Sequence, residues 1–161
     1  MDQSAEGRAR PARPDLDDHD QIAELVRRFY AEVANDDLLG PVFVDVARVD
    51  WATHLPKLTG FWARVLLGEG DYRGNPYLKH LAVHERHPFT PAHFERWLDL
   101  FEATLDAGWA GPRVESAKVF AANVARVHGE RLGETSGAAG DDPTGPVGLA
   151  APARRTGARQ R

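Results

Sequence analysis

The fold of this chain is decided by one stretch, WATHLPKLTGFWARVLLGEGDYRGNPYLKHL at residues 51–81. Its first part repeats large apolar residues at helical spacing and ends at the breaker GEG, which predicts a helix that buries one wide face. Its second part carries turn signals, a short helical pattern and a histidine. This second part belongs to a connection of about twenty residues between two predicted helices, and connections of that length inside a compact domain are usually functional. The stretch therefore predicts a helix followed by a functional segment.

Three more amphipathic helices are predicted on either side of this stretch. One begins after the N-cap Asp18, one begins at Thr90 with Pro91 in its first turn, and one follows Gly111 and Pro112. No segment shows the alternation typical of a strand, so the chain is predicted to be all-α. The predicted inward faces are formed by Ile22, Leu25, Val26, Phe29 and Val33; by Leu55, Leu58, Phe61, Trp62, Val65 and Leu66; by Phe94, Trp97, Leu98, Phe101 and Leu105; and by Val114, Ala117, Phe120, Ala121, Val124 and Val127.

The composition changes at both ends of the helical region. Residues 1–17 are mainly Arg, Pro, Asp and Ala without periodicity, and residues 133–161 form a Gly/Ala/Pro/Arg tail. Such segments cannot offset their ordering entropy by burial, so both are predicted to be disordered. One domain is predicted between them, at residues 18–132.

Charge and composition exclude several classes of protein. The 161 residues carry a net charge of −4, which gives no electrostatic basis for nucleic acid or an anionic membrane as partner. The absence of cysteine excludes disulfides, thiolate metal sites and cysteine nucleophiles. The longest apolar stretch is interrupted by Arg64 and is too short to span a bilayer. We therefore expect a soluble, cytoplasmic protein.

Three histidines, His80, His84 and His87, follow one another at helical spacing after the second predicted helix. They are compatible with a zinc site, with a solvated helix end, or with one working ligand and two bystanders. The sequence HLAVH places two imidazoles one turn apart, as in a zinc protease helix, but Leu81 stands where that motif has its glutamate. Pro88 ends the segment without a third ligand, so zinc is the weaker hypothesis.

Polar or ring-bearing residues occupy useful positions on the predicted inward faces. Tyr30 ends the apolar face of the first helix, His54 opens that of the second, and Trp97 lies in the middle of that of the third. Each alone is compatible with an ordinary role in or beside a core. Together they predict an apolar slot with three hydrogen-bond donors and with His80 on its loop side, which is what a haem requires. The predicted walls are Phe43, Leu58, Phe61, Trp62, Trp97, Phe101 and Leu105.

The order of three segments resembles a known family. The segments LVRRFYAEVANDDLLGPVF, then the stretch at residues 51–81, then FERWLDLFEATL are similar to the group III truncated globins over about residues 20–131. No single segment is decisive, but their order and spacing are specific. The resemblance implies a two-over-two helical sandwich around haem b.

The resemblance also implies a role for each matching residue. His80, which directly follows Lys79 in the sequence, matches the proximal haem ligand. The haem iron is therefore the one metal that the resemblance implies. Tyr30 and Trp97 match donors that point at the bound ligand, and His54 matches a distal histidine that swings between pocket and solvent. Phe43, Leu58 and Phe61 match apolar distal positions, and the slot pattern adds Trp62 and Phe101 to the expected cofactor contacts.

The remaining histidines and tryptophans are expected to have other roles. His84 and His87 are interpreted as bystanders, although His84 stays an alternative iron ligand because it shares a helix face with His80. The segment AVHERHP after His80 looks longer than in the family. His19, His93 and His128 are predicted to be exposed helix residues, and Trp51 and Trp109 to pack at helix ends.

The function that the resemblance implies is binding of dioxygen, nitric oxide or another small ligand on ferrous haem iron. Three donors in one pocket exceed what reversible delivery needs, so nitric oxide or peroxide chemistry is favoured over bulk oxygen transport. Such a nitric oxide dioxygenase-like or peroxidase-like activity requires a reductase, which the sequence does not identify. The alternatives are a haem-based sensor or interaction module without turnover, a cofactor-free helical bundle, and the zinc hydrolase.

Overall fold

The computed structural model describes residues 12–135, and all regular secondary structure in this range is helical. The prediction of an all-α chain is confirmed. None of these helices is both long and apolar enough to cross a membrane. The elements are α1 (His19–Asn35), a short π-helical turn (Val42–Val46), α2 (Trp51–Leu67), α3 (Pro76–His84), α4 (Pro91–Gly108) and α5 (Pro112–Thr135).

The helices begin and end where local sequence chemistry places them. Asp18 caps α1 by accepting a hydrogen bond of 2.8 Å from the Gln21 amide, and Asp50 caps α2 by accepting one of 3.2 Å from the Ala52 amide. Gly68 ends α2 with φ of 71°, a left-handed conformation that glycine adopts without steric cost. The starts predicted for α1, α2, α4 and α5 agree with the structure.

Two pairs of helices enclose the core. α1 packs against α2, α4 packs against α5, and contacts of α1 with α4 and of α2 with α5 join the pairs. α3 rests on α5 alone among the larger helix contacts. This is the arrangement expected of a two-over-two sandwich, and it leaves the connection between α2 and α4 on one side. The core comprises Leu16, Ile22, Leu25, Val26, Phe29, Tyr30, Val33, Leu39, Trp62, Ala63, Phe101, Leu105, Trp109, Val114, Ala117 and Ala121.

The N-terminal boundary of the domain differs from the expected one at residue 18. Leu16 is completely buried, and the Pro14 carbonyl accepts a hydrogen bond of 2.9 Å from the Ala110 amide. Asp15 accepts hydrogen bonds from the amides of Arg113 and Val114, both at 3.0 Å, and so caps α5 from a distant part of the chain. A segment without periodicity can therefore be held by single long-range contacts.

The predicted C-terminal tail overlaps the end of α5, whose helical backbone continues to Thr135. The remainder of that tail, residues 136–161, lies outside the described residues, as do residues 1–11 of the predicted N-terminal segment.

Candidate functional site

Tyr30 places a buried hydroxyl in the site. Tyr30 is 7% exposed on α1, and the Trp97 side chain on α4 forms a hydrogen bond with its hydroxyl. An indole donates but cannot accept, so the phenolic oxygen is the acceptor. Burial raises the pKa of Tyr30 although the Trp97 hydrogen bond lowers it, and the phenol keeps its proton. That proton cannot be directed at Trp97 and is left for a third group.

Three rings surround Tyr30 on its outer side. The ring centroids of Phe43, Trp51 and His54 lie 6.0, 5.8 and 6.2 Å from that of Tyr30. Phe43 comes from the π-helical turn, and the other two come from the first turn of α2. Trp51, expected only to pack at a helix end, is therefore a neighbour of two of the three donors. Its spacing of three residues from His54 on one helix was the signal that could have revealed this.

The predicted walls of the slot divide into two layers. Trp97 stacks on Phe101 with centroids 5.4 Å apart, and Trp62 stacks on the same ring at 4.8 Å. Trp62, Phe101 and Leu105 are at most 3% exposed, so they form the layer behind the slot and have little surface left for a ligand. The residues with free apolar surface are Phe43, Leu58, Phe61 and Trp97, which are all partly buried.

His80 lies in the middle of α3, partly buried beside the rings of Phe89 and His128. Its Nδ1 atom is 3.1 Å from Nδ1 of His128 on α5. Burial, followed by the neighbouring His128 and His54, lowers the pKa of His80 to about 4. The ring is therefore neutral over most of the pH range, as a metal ligand has to be.

His54 also contributes to the lowered pKa of His80, so the two imidazoles lie within electrostatic range of each other. Burial and the nearby Lys57 lower the pKa of His54 itself. The structure thus brings together the four polar residues that the sequence singled out, with Tyr30, Trp97 and His54 clustered on α1, α4 and α2 and with His80 approaching from α3.

His128 is buried, and the expectation that it would be an exposed helix residue is wrong. It is 6% exposed, in contact with His80 at one ring nitrogen and with the Tyr77 ring at a centroid distance of 5.5 Å. Burial and the neighbouring Arg131 lower its pKa. The pattern of α5 alone could not show this, because the face that carries His128 is covered by α3.

His93 is also buried, at 8% exposure, contrary to the expectation. Its Nδ1 atom accepts a hydrogen bond of 3.0 Å from the Thr90 amide, so the ring folds back over the start of α4. His84 is 5% exposed, and its Nδ1 atom accepts a hydrogen bond of 2.9 Å from the Phe89 amide. Both rings therefore fix the backbone on either side of the segment that joins α3 to α4. His19 is exposed, as predicted.

The donor set of the site fits a haem better than a bare metal ion. A haem iron needs one neutral imidazole from the protein, apolar surface for the porphyrin and hydrogen-bond donors opposite the imidazole. The site offers these in His80, in the free surface of Phe43, Leu58 and Phe61, and in the hydroxyl of Tyr30. Within residues 12–135, no three His, Asp or Glu side chains come together as a site for a metal ion.

Comparison with known proteins assigns the chain to a class. The bacterial-like globin family matches residues 15–126. The chain is 43% identical over 90 residues to the group 3 truncated haemoglobin ctb of Campylobacter jejuni, a match that covers 54% of this chain and 68% of that protein. It is also similar to the crystal structure of the group III truncated haemoglobin from Campylobacter jejuni, with a TM-score of 0.64 and 36% identity over 71% of this chain and 91% of that one.

The fold and these matches define a globin. The chain belongs to the bacterial-like globin family, and within it to the group III truncated haemoglobins. The resemblance read from the sequence is confirmed. Membership of this family implies that the chain binds haem and a small gas ligand.

Proposed function

We propose that His80 holds the iron of haem b through Nε2 and that the porphyrin lies against Phe43, Leu58 and Phe61. The observation that carries this assignment is the pairing of Nδ1 of His80 with His128, because it leaves Nε2 as the nitrogen that can bind a metal. Trp62 and Phe101 support this surface from behind through the stack with Trp97. Haem bound there supplies a ferrous iron that takes up a diatomic ligand.

The distal side favours a ligand that accepts hydrogen bonds. Tyr30 keeps its proton and receives the Trp97 hydrogen bond, so its hydroxyl is oriented to donate to a third group. His54, half-buried beside Tyr30 and Trp51, stands where it can swing between this group and solvent. Preorganised donors in a site shielded from water stabilise negative charge more strongly than water does.

We infer chemistry on dioxygen with nitric oxide, or on peroxide, rather than bulk oxygen transport. A dioxygen held by several donors leaves slowly, which suits a reactant better than a transported cargo. Nitric oxide, dioxygen and one electron balance to nitrate, so this reaction needs a reductase as partner. The same donors can assist cleavage of the oxygen–oxygen bond of a peroxide.

The test is ligand kinetics on the haem-loaded ferrous protein and its Tyr30→Phe variant. We expect slow oxygen dissociation in the unaltered protein and dissociation about tenfold faster in the variant, since loss of about 1.4 kcal/mol of hydrogen bonding is a factor of ten. Consumption of nitric oxide or peroxide in the presence of a reductant should be catalytic. Ligand binding without turnover would favour the sensor, and a fast off-rate that the variant leaves unchanged would contradict the proposed distal role.

A further inference from the structure

We propose that His128 on α5 is a positioning residue that accepts a hydrogen bond from the axial histidine and so sets the orientation and donor strength of His80. The assignment rests on the proposed function, in which His80 binds iron. Its basis is the distance of 3.1 Å between the two Nδ1 atoms, which belong to residues 48 positions apart in the chain.

The direction of this hydrogen bond follows from proton counting. Two nitrogens at this distance form a hydrogen bond only when one carries the proton and the other offers a lone pair. A neutral imidazole that binds iron through Nε2 carries its proton on Nδ1. His80 is therefore the donor, and His128 accepts at Nδ1 while its own proton is on Nε2.

The surroundings of His128 hold its ring in this position. It is 6% exposed, and its ring lies between those of His80 and Tyr77, at centroid distances of 5.1 and 5.5 Å. The Arg131 guanidinium, on the next turn of α5, lies 5.7 Å from the Tyr77 ring. The acceptor is thus built from α5 itself and from the first turn of α3.

The consequence concerns the strength of the axial bond. A histidine that donates its second ring N–H to an acceptor has its tautomer and orientation fixed and becomes a more basic ligand. A more basic axial ligand strengthens the bond to iron and favours the ferric state. The reduction potential and the iron–histidine stretching frequency of this globin should therefore depend on a residue of α5 that does not touch the cofactor.

The experiment compares His128→Leu with His128→Asn in the full-length, haem-loaded protein. The two side chains have the same size, but asparagine keeps an acceptor atom at the δ position and leucine does not. In His128→Leu we expect a lower iron–histidine stretching frequency in the ferrous resonance Raman spectrum, a higher reduction potential, and haem transfer to apomyoglobin that is about tenfold faster or more. His128→Asn should restore the stretching frequency and the reduction potential toward those of the unaltered protein.

Two further variants separate the possible failures. His93→Leu removes another buried histidine, one that caps α4, and should leave the stretching frequency unchanged. His80→Gly should abolish the iron–histidine band; if the band persists, His80 is not the ligand, and the proposed function and this inference fall together. If the band vanishes in His80→Gly but is the same in the leucine and asparagine variants as in the unaltered protein, only the role of His128 is overturned. If His128→Leu does not fold, His128→Gly replaces it as the variant without an acceptor atom. An iron–histidine stretching frequency that is the same in His128→Asn and His128→Gly would then overturn the role of His128.

Discussion

At the scale of single residues, the distal donors are not independent of one another. The Trp97 indole donates to the Tyr30 hydroxyl, and we propose that this leaves the hydroxyl proton for a ligand. Trp97 stacks on Phe101, which fixes the plane of the indole. We propose that Trp97 acts through Tyr30 in this arrangement; the resemblance implies instead that both residues point at the ligand.

This coupling predicts a non-additive double-mutant cycle. Tyr30→Phe and Trp97→Phe should each speed oxygen dissociation, and the double variant should be slower to release oxygen than the product of the two effects predicts, because the residues share one hydrogen bond. Coupling of about 0.5–3 kcal/mol is expected for such a pair. Stopped-flow oxygen dissociation measures it. Strictly multiplicative effects would mean that each donor contacts the ligand separately.

The residue types of the site could be predicted from the sequence, but their partners could not. Tyr30, His54, Trp97 and His80 stand at positions that helical spacing and the family resemblance single out together. The pairing of His80 with His128 depends on how α3 lies on α5, which no spacing within one helix encodes. The same reason explains why His93 and His128 were expected to be exposed: each lies on a helix face that another segment covers.

At the scale of helices, the start of α5 depends on a residue from the other end of the domain. Burial raises the pKa of Asp15, but the amide hydrogen bonds from Arg113, Leu16 and Val114 outweigh it, so the pKa lies below its ordinary value. Gly111, directly before α5, has φ of 147°, and a Cβ atom there would lie 2.5 Å from the Asp15 carboxylate. The glycine and the aspartate therefore form one capping structure.

We predict that Asp15→Ala lowers the free energy of unfolding by about 1 kcal/mol at neutral pH, the usual cost of a lost helix cap. A lowered folded-state pKa gives stability that is present above the unfolded value of about 3.9 and lost as the pH falls through the folded value. The difference in the free energy of unfolding between the variant and the unaltered protein should therefore become smaller at acidic pH. Urea unfolding at several pH values measures it, with Asp99→Ala, an exposed site on α4, as control. A difference independent of pH would contradict the cap.

Helix α3 should be the element most sensitive to haem. His84 is its one buried residue, and the helix packs mainly on α5 through His80, Tyr77 and His128. An element with few buried contacts opens at low free-energy cost. Hydrogen exchange of the α3 amides should therefore slow strongly on haem addition, while exchange in the middle of α1 changes little. Equal protection of both helices before and after haem addition would contradict this prediction.

At the scale of the whole molecule, two pairs of helices form a nearly complete core, and we propose that the segment between α2 and α4 supplies the proximal side of the haem site. Along the chain, the core residues range from Leu16, before α1, to Ala121 on α5. The four long helices could be predicted from periodicity because each buries a wide stripe. The boundary at residue 18 and the π-helical turn could not, because single long-range contacts and local backbone geometry leave no period in the sequence.

Hemin titration of the purified protein beside His80→Ala and His84→Ala tests whether His80 binds the haem iron. We expect a stoichiometric Soret band with a histidine-ligated ferrous spectrum in the unaltered protein and in His84→Ala, and loss of that spectrum in His80→Ala alone. His84→Ala is the matched control, since it removes a buried imidazole from the same helix. An unchanged spectrum in His80→Ala, or loss of the spectrum in His84→Ala instead, would mean that His80 is not the iron ligand.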